Sequence, residues 1–116
     1  MRRFAIAFAV SLLAGPAAAV DGREAFEADC AGCHAIEGPS TPAGPSLKGV
    51  MWSDIASRND FAYSTALRAV VGVWSPERLD AFLKNTRGFA PGTDMLYDVP
   101  DVDERRAIVS YLKGVK

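Results

Sequence analysis

Histidine and cysteine are scarce in this chain of 116 residues, which holds one of the first and two of the second. That scarcity excludes an internal structural zinc site, which draws on four Cys or His ligands, and any centre needing two histidines. Long apolar runs are missing too. The longest, Phe4 to Leu13, is broken by Ser11 and falls short of the ~20 residues that span a bilayer. Sustained apolar–polar alternation is absent, so the chain offers no clear strand. No internal repeat occurs. Positive charge is in deficit once Arg2 and Arg3 are set aside: 11 basic residues then face 14 acidic ones, a formal charge of −3. Nucleic-acid binding calls for clustered positive charge, so that class is excluded.

The first nineteen residues stand apart from the rest. Arg2 and Arg3 precede the apolar run, and the small residues Ala14 to Ala19, with Pro16 among them, follow it. Ala17 and Ala19 lie at the spacing read by signal peptidase, so residues 1–19 are expected to form an export signal cleaved after Ala19. A retained anchor is the competing reading. A twin-arginine signal fits the flanking residues poorly, and no cysteine follows the run directly to carry a lipid. Residues 20–116 then form one domain of fewer than 100 residues, small enough to need reinforcement beyond its own core.

Within that domain the patterns are helical. Val20 to Cys33 reads as a helix, with Asp21 as N-cap, Glu24 three residues on, and Phe26 and Cys30 on one face. Ala35 to Leu47 carries Gly38, Pro39, Pro42, Gly44 and Pro45 and reads as a loop. Ser64 to Val71 suits a short helix burying Ala66, Leu67 and Val70. Ser75-Pro76-Glu77 is a strong helix start, and Leu79, Phe82 and Leu83 supply the apolar stripe. Thr86 to Met95 reads as a second loop. Asp101 or Asp103 caps a last helix, in which Ile108, Tyr111, Leu112 and Val115 repeat at helical spacing.

Cys30-Ala31-Gly32-Cys33-His34 is the most informative stretch. Two thiols three residues apart at a helix end project to one side, where they can bond the two vinyl groups of a haem. The adjacent His34 can then reach the iron. C-x-x-C-H is the attachment signature of c-type haem, and histidine is a common axial ligand. Three rivals compete: a thioredoxin-like redox pair, which needs an α/β setting, a zinc site, and a plain disulfide that ignores His34. An export signal favours covalent haem, because bacteria attach it outside the cytoplasm. With one histidine, the sixth ligand must come from elsewhere. Met51 sits beside Trp52 in a mixed stretch and suits core filling. Met95 lies in a loop between two helices, which can bring a thioether to the face opposite His34.

These pieces, in this order, resemble the class I cytochromes c of the mitochondrial and short bacterial type over nearly all of residues 20–116. Gly22 and Phe26 precede the Cys30/Cys33/His34 motif. Gly44-Pro45-Ser46-Leu47, Phe61, Tyr63, Trp74, Asn85, Pro91-Gly92-Thr93-Asp94-Met95 and Tyr111-Leu112-Lys113 come after it. The resemblance implies an all-α fold in which the terminal helices cross, Gly22 and Phe26 packing on Ile108 and Tyr111, and shorter helices and loops wrap one haem c. It implies that Pro45 offers its carbonyl to the ring N–H of His34, and that Leu47 and Leu83 pack on the haem. Tyr63, Trp74 and Thr93 would bond its propionates, and His34 and Met95 would hold the iron.

Departures from the family pattern are equally specific. Ser53 stands where an arginine is often found, with Arg58 as a possible substitute. Phe82 stands where many relatives have tyrosine. Gly88 and Asp94 replace lysines of the usual docking ring, leaving Lys84 and Arg87. The implied function is a periplasmic, monomeric one-electron carrier, not an enzyme. It would dock transiently on a membrane quinol–cytochrome c reductase, a terminal oxidase or a periplasmic dehydrogenase. A dedicated cytochrome subunit of one dehydrogenase complex is the main alternative. A haem enzyme or gas sensor would want an open iron site.

Overall fold

The computed structural model of the chain describes residues 2–11 and 19–116. Most of the small-residue tract expected to precede a cleavage site, Ala17 included, lies outside them. Residues 2–11 form no regular element, and Phe4, Ile6, Phe8 and Val10 are exposed. The rest is helical. Among the described residues there is no strand, only an isolated bridge between Asp54 and Val73.

Helix α1 spans Gly22–Asp29, shorter at both ends than the 20–33 read from the sequence. Asp21 caps it by accepting from the Glu24 N–H at 3.0 Å. At its far end the Cys33 and His34 N–H groups both donate to the Cys30 carbonyl, at 3.1 and 2.9 Å. That double contact curls residues 30–33 into a turn, so the helix stops before the motif is complete.

Helix α2 is a single turn, Thr65–Arg68, capped by Ser64. It is shorter than the expected 64–71, and Ala66, Leu67 and Val70 are only half-buried. Helix α3, Pro76–Lys84, starts at the Ser75 cap with proline in its first turn, and it buries Leu79, Phe82 and Leu83. Thr86–Phe89 forms a further one-turn helix, α4, inside the segment expected to be loop. Its cause is local and tertiary together. Asn85 caps it by accepting from the Gly88 N–H, and Asp98 accepts from both the N–H and the hydroxyl of Thr86, each at 2.9 Å. Helix α5, Val102–Lys113, is capped by Asp101 rather than Asp103.

The terminal helices cross closely. A Cβ added at Gly22 would lie 2.2 Å from the Ala107 carbonyl oxygen and 2.9 Å from the Tyr111 Cβ, so only glycine allows this approach. One turn on, the Phe26 and Tyr111 rings meet at a centroid distance of 5.5 Å. The core runs from this crossing through Ile108 and Leu112 to Leu79, Phe82 and Leu83. Trp74, Phe82 and Phe89 extend it as an aromatic cluster, with centroid distances of 5.2 to 5.6 Å.

Arg105 is the one buried charge among the described residues and is 5% exposed. Its Nε donates to Asp80 Oδ1 at 2.9 Å, and its Nη1 donates to the Val99 and Pro100 carbonyls at 3.0 Å each. Such pairing is the condition for keeping a guanidinium out of water. It ties α5, α3 and the segment returning from Met95 at one point.

Candidate functional site

A cavity of about 490 Å³ opens in the middle of the core. Its size is that of a cofactor pocket. One wall comes from the end of α1 and the adjoining loop, which contribute Cys30, Cys33, His34, Pro45 and Leu47. Helix α3 and the segment after α4 contribute Leu83, Thr93 and Met95, and Tyr63 and Trp74 complete the lining. The structure thus brings every residue expected to hold the haem or its iron onto one cavity. Met51 lies elsewhere, half-buried against the core.

The turn at the end of α1 separates the two thiols: Cys30 is buried and Cys33 is exposed. Both are free, so the plain-disulfide reading is not the state seen here. Burial, reinforced by Asp29 and Glu104, pushes the Cys30 thiol up to about 11. His34 is fixed by one contact, its Nδ1 lying 2.7 Å from the Pro45 carbonyl oxygen. An imidazole donating from Nδ1 keeps the lone pair of Nε2 free for a metal. Gly44 makes this arrangement possible. A Cβ there would stand 2.8 Å from the Cys33 carbonyl oxygen and 2.8 Å from His34 Cε1. Thr41 braces the same loop by donating to the Cys33 carbonyl at 2.7 Å.

Met95 is held through residues 98–100. Asp98 is fastened to Thr86, the Val99 N–H donates to the Leu83 carbonyl at 2.7 Å, and Arg105 grips the Val99 and Pro100 carbonyls. Three polar groups sit at the remaining side. The Tyr63 hydroxyl accepts from the Arg58 N–H at 3.3 Å, and burial raises its pKa. The Trp74 indole N–H and the Thr93 hydroxyl make no hydrogen bond within the described protein. Among the described residues no buried side-chain nitrogen or oxygen is fully enclosed without a partner, so both open onto the cavity. Arg58 lines it as well, in a two-point pair with Asp60 at 3.0 and 3.1 Å.

The donor set can be tested against a haem. The walls are mainly apolar: Leu79, Phe82, Leu83, Val99, Ile108 and Leu112 all face inward. They suit the faces of a large flat macrocycle. Two unpaired thiols, an oriented imidazole and a thioether all line the same cavity. Indole and hydroxyl donors without a protein partner line it too, and such donors suit carboxylate tails. The residues therefore fit the group. Among the described residues no three His, Cys, Asp or Glu side chains form a metal cluster, which leaves the zinc reading without a site. With no sheet among those residues, the thioredoxin-like reading lacks its scaffold. Asp29, Val99 and Tyr97 also line the cavity, and sequence reasoning missed them. None stands in a motif or a helical stripe.

Comparison with known proteins gives the same picture. The model of the cytochrome c family matches residues 19–116. Cytochrome c of Tetrahymena pyriformis is 41% identical over 95 residues, covering 81% of this chain and 85% of its own. The c-type cytochrome cy of Rhodobacter capsulatus is 39% identical over 92 residues, and the match spans about half of that longer protein, 46%. Among solved structures, cytochrome cH from Methylobacterium extorquens aligns with a TM-score of 0.73 and 32% identity, covering 79% of this chain and 93% of that one. The cavity, its donors and these likenesses agree, and the chain belongs to the cytochrome c family, an all-α electron carrier built around one covalently bound haem c.

Proposed function

We propose that the protein is a periplasmic one-electron carrier whose haem is joined to Cys30 and Cys33 through thioethers and whose iron is held by His34 and Met95. The observation that carries this reading is the cavity itself, which is lined both by His34, locked to Pro45 at 2.7 Å, and by Met95. The bound haem supplies a reversible Fe(II)/Fe(III) couple, and a thioether ligand favours the reduced form. The chain's own residues do the rest. Pro45 sets the tautomer and orientation of His34. Leu47 and Leu83 keep water from the haem faces. Trp74 and Thr93, whose donors are free, bond the propionates, and Tyr63 stands beside them. Ligation on both faces leaves no open site for a substrate, which is a carrier's chemistry and not an enzyme's.

Residues 1–19 are read as a cleaved export signal. Phe4, Ile6, Phe8 and Val10, all more than three-quarters exposed, support a segment that is not part of the folded domain. Partners are a quinol–cytochrome c reductase, a terminal oxidase or a periplasmic dehydrogenase, met through small transient contacts. One observation favours a dedicated subunit of a dehydrogenase complex as the second reading. Asp94, which lines the cavity, and Gly88 stand where the family resemblance sets lysines of the docking rim. Size exclusion of native extract separates the two, because a carrier runs free and a subunit co-elutes.

The test of the main reading is spectroscopic and chemical. Haem should stay on the chain through acid acetone. The ferric protein should show a sulfur-to-iron charge-transfer band that disappears in Met95→Ala and survives in Met51→Leu. Extractable haem, or a band indifferent to Met95, refutes the assignment.

A further inference from the structure

The segment from Thr86 to Pro100, which carries Met95, is fastened almost entirely to its own side of the cavity. Asp98 bonds Thr86, the Val99 N–H bonds the Leu83 carbonyl, and Arg105 holds the Val99 and Pro100 carbonyls. Across the mouth lie α1 and the loop that carries His34. Among the described residues one hydrogen bond joins this segment to residues 19–50. The Tyr97 hydroxyl donates to Asp29 Oδ1 at 2.9 Å, over a separation of 68 residues.

The two partners are placed to matter. Asp29 is the last residue of α1 and directly precedes Cys30, while Tyr97 lies two residues after Met95. Both line the cavity, and Tyr97 is 49% exposed. Swinging Met95 away from the opposite wall must carry Tyr97 with it, and that breaks the bond. The bonds behind Asp98 can stay intact through such a motion and do not resist it. Glu104 on α5 faces the same carboxylate, and its own carboxyl is held above the ordinary range by hydrogen bonding to Asp29 and by the nearby Asp101. When Glu104 is ionised it has no proton to give, and Tyr97 is then the donor that Asp29 has.

We propose that Tyr97 is a positioning residue: its hydroxyl, latched to Asp29, holds the Met95-bearing segment across the cavity mouth and sets how readily the sixth position of the haem opens. The proposal rests on the carrier reading, and its test separates the two. Cyanide enters through the mouth that the segment covers, so holding the segment in place slows its addition to ferric iron whether or not Met95 is itself the ligand. The rate of cyanide addition to the ferric holoprotein therefore reports the latch, and the sulfur-to-iron band reports the ligand. Tyr97→Phe keeps the ring and loses only the hydroxyl. It should speed cyanide addition by about two- to tenfold, the range for one hydrogen bond. Asp29→Ala should do the same, and the double variant should be no faster than either single one. Asp29→Asn, which keeps an acceptor oxygen, should restore most of the wild-type rate. An unchanged rate in Tyr97→Phe, or effects that multiply in the double variant, overturns the latch. A missing band with the cyanide pattern intact overturns only Met95.

Discussion

Replacing Gly22 with alanine should be among the most damaging single-methyl changes this domain can suffer. The added Cβ would lie 2.2 Å from the Ala107 carbonyl oxygen and 2.9 Å from the Tyr111 Cβ. Neither neighbour can rotate away. One is backbone inside α5 and the other is the first atom of its side chain, so the helices themselves must part. Overpacking a tight contact costs about 1–3 kcal/mol, and a rigid backbone partner puts this site near the upper figure. Gly22 opens the helix, so alanine's better helix propensity recovers only a few tenths of a kcal/mol. A net loss of about 2.5 kcal/mol is a large share of the roughly 5–15 kcal/mol that holds a domain together. At ~4–8 °C per kcal/mol, it should lower Tm by about 10–20 °C. Thermal melts of the holoprotein by circular dichroism will measure this. Gly114→Ala is the matched control, since its Cβ would meet the Tyr111 carbonyl oxygen at an ordinary 3.5 Å and its φ is −87°. If Gly22→Ala melts within 2–3 °C of wild type (about 0.5 kcal/mol), the close crossing of α1 and α5 is refuted.

Other outcomes rest on the same structure. A haem-free chain would have to keep the cavity of about 490 Å³ open. At ~24 cal/mol per Å³ that costs on the order of 10 kcal/mol, so the apoprotein should be largely unfolded, with little helical circular dichroism. Arg105→Met removes three hydrogen bonds made by a buried guanidinium and leaves Asp80 and two carbonyls without their donor. Urea unfolding should show a loss of about 3 kcal/mol. Bonds from Arg58 and then Ser40 hold Asp60 well below the usual carboxylate range of 3.8. Its stabilisation is therefore complete above that value and is lost as pH falls toward the folded value. Tm measured between about pH 4 and pH 2 should fall less steeply in Asp60→Asn than in wild type. Alkaline titration of the ferric protein should keep the sulfur-to-iron band to higher pH than in relatives with a lysine in this loop. Residues 86–96 contain no lysine, and Arg87 has no lone pair to offer iron. An amine-ligated species that vanishes in Lys84→Ala would show instead that the end of α3 unwinds easily.

What sequence disclosed was chiefly what short-range chemistry decides. Asp21, Ser75 and Asp101 announce helix starts because a cap acts on a backbone N–H only three residues ahead. The cavity residues were legible through the spacing of Cys30, Cys33 and His34, and through likeness for Pro45, Trp74, Thr93 and Met95. The misses are mostly long-range. Helix α4 depends on Asp98 reaching back to Thr86, and no local pattern encodes that. Cys33 escapes α1 because the Cys30 carbonyl takes two N–H groups, a choice that helix propensity does not express. Arg105 looks like any surface arginine in α5 until Asp80, Val99 and Pro100 are brought around it. The bond between Tyr97 and Asp29 joins residues that carry no motif.

The crossing of α1 with α5 also decides how this chain comes apart. Chain ends usually fray, because little holds them. Here the Phe26 and Tyr111 rings pack tilted at a centroid distance of 5.5 Å, and each terminal helix is the other's support. The contact closes a loop of roughly 85 residues, whose entropy alone opposes closure by about 4 kcal/mol. Two short helices could not offset that by themselves, so the crossing persists only while the segments between them are ordered. Neither end can then peel away in a small local excursion. A carboxypeptidase acting on the C-terminus beyond Gly114 should stall at α5 and advance only as fast as the whole domain opens. Digestion from that end becomes a clock for global unfolding.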